Sequence, residues 1–125
     1  MVSVVLSIGS NCGDRKSLVS RSIEWLKDLL MDVRCSEIYE TDGVGGNGKS
    51  YMNAVLKGFY ERSGMDLNDR IKEKERELGR NSECRERGDV PIDIDIVMCD
   101  GTIWKEWDFR QKFFRIGYSQ IEPGS

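Results

Sequence analysis

Ile92-Asp93-Ile94-Asp95-Ile96 is the stretch that decides how this chain folds. Strict alternation of β-branched and acidic residues is the period of a β-strand, which turns all three isoleucines to one side. Asp93 and Asp95 then share the opposite side, their Cα atoms roughly 6.5 Å apart by strand rise. Carboxylates so placed can grip a divalent cation as hard oxygen ligands suited to Mg²⁺, or simply form a solvated polar face. Val97 puts an apolar residue on the same side, so that side opens to water at one end only. Unpaired carboxylates are costly to bury, which favours the metal reading.

Periodicity extends outward from this strand in both directions. Val2 to Ile8 is an apolar strand ended by Gly9-Ser10-Asn11. Asp14 can cap a helix whose apolar stripe is Val19, Ile23, Leu26 and Leu30. Val33 to Thr41 reads as a second strand and Tyr51 to Tyr60 as a third, with a glycine-rich loop between them. Asp66 to Leu78 is a second helix closed by Gly79 in the C′ place. After the Ile92–Met98 strand, Asp100-Gly101 signals a tight turn into Thr102-Ile103-Trp104. The order β-α-β-β-α-β is that of a ferredoxin-like α+β sandwich, an antiparallel sheet with helices packed on it.

Composition narrows the function classes. The 125 residues fit a single domain, 1–125, large enough for a core without staples. A formal charge of −3 gives no footprint for general nucleic-acid or membrane binding. No apolar run is long enough to cross a bilayer, and no signal-peptide pattern is present. Cys12, Cys35, Cys84 and Cys99 have neither close pairing nor C-x-x-C spacing, so they read as reduced thiols of a cytoplasmic protein. The absence of histidine removes Ser-His and Cys-His triads, histidine-ligated zinc and the usual neutral-pH base.

Individual residues stand out against this frame. In the second helix the stripe Leu67, Ile71, Leu78 has Glu75 at i+8, on the seam that faces the sheet. A carboxylate there needs a partner unless it snorkels out near the helix end. Lys72, Lys74, Arg76 and Arg80 around it read as a solvated face when taken alone. On the third strand Tyr51 and Asn53 share a side, where a flat aromatic and an amide suit a planar heterocycle; a turn-proximal polar residue is the plainer reading. Gly43 to Ser50 matches the P-loop pattern G-x-x-x-x-G-K-[ST] letter for letter. That mechanism requires the loop to open a helix whose N-terminal amides cradle phosphate. Here Tyr51 to Leu56 alternates like a strand, so a flexible lid is the better reading of the loop.

Five pieces in order carry a resemblance: Gly9-Ser10-Asn11, Tyr39-Glu40-Thr41, Tyr51-Met52-Asn53-Ala54-Val55, Glu75 to Arg80, and Ile92 to Ile96. Over most of its length the chain resembles the 6-hydroxymethyl-7,8-dihydropterin pyrophosphokinases of folate biosynthesis. The resemblance implies transfer of the β,γ-pyrophosphoryl group of ATP to the pterin hydroxymethyl, with release of AMP and use of two Mg²⁺ ions. It makes Asp93 and Asp95 the ligands of both ions, with Arg80 and Arg87 beside the chemistry. Asn53 would meet the polar edge of the pterin and Tyr51 would line the pocket, which the backbone around Thr41, Asp42 and Val44 completes. A second aromatic, Phe113 or Phe114, would come from the tail. Glu75, Lys72 and Arg80 fall on the nucleotide side, with Arg110 and Arg115 as tail cations for the triphosphate.

The pattern also departs from the family. Arg87-Gly88-Asp89-Val90 stands where the family has Trp-Gly-Pro-Arg, and a histidine-containing tail segment has no counterpart. Arg85, Arg87, Lys105, Arg110, Lys112 and Arg115 are the cations available instead. A chain without histidine can still run such chemistry, because phosphoryl-type transfer rests on positioning and charge neutralisation. The alternatives are a degenerate relative that binds pterin or nucleotide without transfer, and a P-loop phosphohydrolase using Gly43 to Ser50. The resemblance further implies a monomer whose partners are small molecules.

Overall fold

The computed structural model describes residues 1–43 and 48–122. Its first half runs β1 (Val2–Ser10), α1 (Arg15–Leu29), β2 (Met31–Cys35), β3 (Tyr39–Thr41) and β4 (Tyr51–Tyr60). The second half runs α2 (Gly64–Glu77), α3 (Ser82–Arg87), β5 (Asp93–Cys99), β6 (Thr102–Ile103), α4 (Glu106–Arg110) and α5 (Lys112–Ile121). The strands form one antiparallel sheet in the order β2-β4-β1-β5-β6, with β3 pairing further along β4. The expected α+β sandwich is present as β1-α1-β2-β4-α2-β5.

One face of the sheet is fully covered. Ile94 and Ile96 of β5 join Leu6 and Ile8 of β1 and Leu56 of β4 in a core at most 3% exposed. From α1 come Val19, Ile23 and Leu26, and from α2 Leu67 and Ile71, the stripes that helical periodicity demands. Caps fix where both helices begin: Asp14 accepts from the Ser17 amide at 3.3 Å, and Ser63 from the Asp66 amide at 3.1 Å.

The other face is covered only in part. Val55 of β4 and Val97 of β5 are buried beneath Phe114 and Ile121 of α5. The helix sits close because Gly117 is bare: a Cβ there would lie 2.6 Å from Val55 Cγ2 and 2.7 Å from Tyr39 Oη. That hydroxyl accepts from the Gly117 amide at 3.0 Å and donates to the Phe113 carbonyl. Tyr39 therefore pins α5 to the sheet, and burial pushes its own pKa up to about 12.

Two expectations change. Val33 to Thr41 is not one strand but β2 and β3, interrupted at Ser36. There the Ser36 amide donates to the Val55 carbonyl while its Oγ accepts from the Val55 amide. A side-chain oxygen stands in for a backbone one, so the chain can bend without orphaning a ladder donor. The tail, read only as far as Trp104, adds two helices, and α3 forms between an Asn81 cap and a left-handed Gly88.

Filling the Gly117 contact tests this packing. Gly117→Val should destabilise the protein by about 1–3 kcal/mol, overpacking outweighing any gain in helix propensity. Urea unfolding would measure it, and an unchanged midpoint would mean that α5 is not held at this distance.

Candidate active site

Where α5 stops, the central strands leave their second face open. Register aligns the open residues in rows: Gly9 of β1 lies opposite Asn53 of β4 on one side and Asp93 of β5 on the other. Ser7 lies opposite Asp95 in the next row. Gly9 keeps the floor low, since even its missing Cβ would sit 3.4 Å from the Tyr51 ring and 3.5 Å from Asn53 Oδ1. The result is a cavity of about 370 Å³. Its walls are Tyr51, Asn53, Thr41 and Asp42 from the β3–β4 side, and Trp107, Asp108 and Phe113 from the tail.

Asn53 is buried and its amide is held in place. Nδ2 donates to Thr41 Oγ1 at 2.7 Å and to the carbonyls of Tyr51 and Tyr39 at 3.2 and 3.3 Å. Phe113 and Trp107 approach each other with ring centroids 6.1 Å apart. An apolar wall, a flat phenol and an oriented amide are the parts that receive a planar polar ring.

A second cavity of about 780 Å³ lies on the other side of the aspartates. Met65, Asn68, Lys72 and Arg76 of α2 line it, with Arg85 and Trp104. Both cavities share Arg80, Asp93, Asp95 and Lys105. Arg80 Nη1 donates to Asp93 Oδ1 and to Glu75 Oε2, each at 2.9 Å. The same Glu75 oxygen accepts from the Ile94 amide at 2.8 Å. Glu75 is therefore the buried carboxylate with a partner that its seam position required. Burial raises its pKa, opposed by the Ile94 amide and Arg80.

Asp95 is the most perturbed acid. Burial, then the charge of Asp93 and a hydrogen bond with it, push its pKa up to about 8. Lys105, with Nζ 3.9 Å from Asp95 Oδ1, pulls the other way. Burial and Asp93 raise Asp108 as well. A carboxylate whose proton affinity is raised by an acidic neighbour marks a site short of positive charge, a condition that a divalent cation relieves. The carboxylate oxygens fit a hard ion. Among the described residues no three acidic, cysteine or histidine side chains converge, so other ligands would come from water or phosphate.

Other residues singled out in the sequence lie elsewhere. Phe114 is fully buried in the second core, because it is the α5 residue that faces Val55 and Val97. Arg87 projects outward to Asp89, Arg110 pairs with Glu106 one helical turn away, and Arg115 stacks over Phe109. Val44 lies outside the described residues, as does the centre of the glycine-rich loop. Beyond that loop Lys49-Ser50 leads straight into β4, not a helix, and Lys49 pairs with Asp89. The P-loop reading fails on that geometry. Trp107 and Asp108 were missed, and so were Ser7 and Gly9 on the floor. An exposed tryptophan in a polar tail was the available signal for Trp107.

Residues 5–123 match the family described as 7,8-dihydro-6-hydroxymethylpterin-pyrophosphokinase. A 2-amino-4-hydroxy-6-hydroxymethyldihydropteridine pyrophosphokinase of Aquifex aeolicus is 32% identical over 123 residues, 98% of this chain and 73% of the relative. The protein of that name from Porphyromonas gingivalis is 38% identical over 104 residues, 78% of this chain and 69% of its own length. A folate synthesis bifunctional protein of Arabidopsis thaliana is 31% identical over 96 residues, 75% of this chain but 20% of the relative.

The Asp95 shift has a measurable consequence. Between its ordinary value of 3.8 and about 8, the native state holds a proton that the unfolded chain has released. Raising the pH through that window therefore costs stability. In cation-free buffer, Asp95→Asn should melt above wild type at pH 8, with the gap closing toward pH 4. Parallel melting curves for the two proteins across that range would show that Asp95 ionises normally.

Proposed function

The chain belongs to the 7,8-dihydro-6-hydroxymethylpterin-pyrophosphokinase family, and we propose that it transfers pyrophosphate from ATP to 6-hydroxymethyl-7,8-dihydropterin, releasing AMP, in folate biosynthesis. One observation carries the reading at the level of this chain: the paired aspartates line two cavities of different size at once. The smaller suits a pterin, a planar ring taken between Tyr51 and Phe113 and read by Asn53 and the Thr41–Asp42 backbone. The larger suits a nucleotide, with Lys72, Arg76 and Arg85 available to its phosphates.

The hydroxymethyl oxygen attacks the β-phosphorus, and the bond from that phosphorus to the oxygen bridging the α-phosphate breaks. AMP leaves with the electrons of that bond, and the hydroxyl proton passes to water. Little covalent work falls to the protein, so rate depends on alignment and on charge. Asp93 and Asp95 would hold Mg²⁺, two ions by the family resemblance, which supplies the charge that stabilises the phosphates in transfer. Arg80 fixes Asp93 from behind while Glu75 fixes Arg80, so the carboxylate is held before any ligand arrives. We read the chain as a single catalytic domain and a cytoplasmic monomer. Its four unpaired cysteines agree with a reducing compartment, and no helix among the described residues is long and apolar enough to cross a membrane.

The deciding assay follows the nucleotide product. With ATP, Mg²⁺ and the pterin, AMP should form, and only when the pterin is present. Asp95→Ala should lower kcat by about 10²-fold or more, on the scale of lost transition-state electrostatics. Lys49→Ala should leave turnover within about threefold, since Lys49 lines neither cavity. ADP formed without pterin would sink the transfer reading, and pterin binding without AMP would mean a relative that has kept its site and lost its chemistry.

A further inference from the structure

We propose that Lys105 is the cation that holds the pyrophosphoryl group as it passes from nucleotide to acceptor, an inference that rests on the transfer reading above. A group moving between the cavities must pass the residues common to both, which are Arg80, Asp93, Asp95 and Lys105. The aspartates repel a phosphate unless a cation intervenes. Arg80 has its Nη1 engaged by Glu75 and Asp93. Lys105 is the remaining positive side chain at the junction.

Its placement combines a fixed root with a free head. Trp104 and Lys105 both donate their amides to the Val97 carbonyl, at 2.8 and 3.3 Å, which ties the backbone to β5 two residues beyond Asp95. The Trp104 ring is wedged against α2, where a Cβ on Gly64 would come within 2.5 Å of it. The side chain is about half exposed, and its ammonium is 3.9 Å from Asp95 Oδ1, at the outer edge of an ion pair. A loosely held ammonium with three rotatable donors can turn from carboxylate to phosphate without unfolding anything.

The other cations are disqualified by position. Lys72, Arg76 and Arg85 line only the larger cavity, so they reach a bound nucleotide but not the acceptor side. Arg87, Arg110 and Arg115 are engaged by Asp89, Glu106 and Phe109 and line neither cavity. A charge placed where the transferring group is shared lowers the transition state more than either ground state.

Lys105→Met and Lys105→Arg decide the matter. In the full chain with saturating Mg²⁺, Lys105→Met should lower kcat about 10²-fold while KM for the pterin stays within about twofold. Lys105→Arg should restore at least tenfold of that loss. Tryptophan fluorescence adds a readout free of chemistry: Lys105→Met should weaken α,β-methylene-ATP binding by about five- to tenfold and leave AMP binding unchanged. A kcat within threefold of wild type would overturn the proposal. So would a kcat loss fully recovered by changing the Mg²⁺ concentration, because Lys105 would then act only as the ion-pair partner of Asp95. If wild type makes no AMP from the pterin, the transfer reading fails by itself. The analogue then decides for Lys105, since equal affinity in wild type and Lys105→Met overturns it.

Discussion

Burial is complete on one face of the sheet and stops halfway on the other, and the site follows from that asymmetry. The covered face satisfies the hydrophobic demand of the alternating strands with α1 and α2. On the second face α5 buries Val55 and Val97 but leaves the rows of Asn53, Asp93 and Asp95 lining a cavity. Each central strand thus carries one sequence pattern with two fates. Val97 of β5 is core, while Asp93 and Asp95 on the same side are open. Val55 of β4 is core, while Tyr51 and Asn53 face the cavity. The boundary is set by the length of one helix and by Tyr39, which fixes its distance.

Most of this was legible in the alternation of β5, because a period of two leaves no choice about which residues share a face. The apolar Val97 on the acidic side already marked the edge of the open region. Glu75 was legible for a different reason, as a charge where the helical stripe demanded an apolar residue. What escaped was set by single atoms or by weak local patterns. The break at Ser36 depends on a hydroxyl replacing a carbonyl in the ladder, and no periodicity registers that. In α5 the buried residues Phe114, Gly117 and Ile121 do recur at helical spacing. The aromatic pair Phe113-Phe114 hides which ring belongs to the core until the phase of the helix is known. α4 buries none of its own residues, so no apolar stripe could have announced it or Trp107.

Charge at the site is arranged in layers rather than pairs. Glu75, buried and fixed by the Ile94 amide, holds Arg80; Arg80 holds Asp93; and Asp93 in turn raises the proton affinity of Asp95. An isolated buried ion pair adds little to stability. Such a chain is better understood as preorganisation, because each member removes a degree of freedom from the next. The outermost member remains short of positive charge, which suits a site that must accept a cation and a polyphosphate together.

The segment at residues 88–90 is held to the end of β1 through its backbone, in addition to the Lys49–Asp89 ion pair. Asn11 donates its backbone amide to the Val90 carbonyl at 2.9 Å, accepts from the Val90 amide at 2.6 Å and reaches the Gly88 carbonyl at 3.1 Å. Every one of those bonds is to backbone of the 88–90 segment, so they do not depend on which side chains stand there. Arg87 then turns outward to Asp89. The Gly9-Ser10-Asn11 run accordingly does two jobs. Its glycine lowers the floor of the cavity and its asparagine anchors the loop that precedes the aspartates. A backbone clamp of this kind preserves the position of Asp93 while leaving the loop's side chains free to diverge.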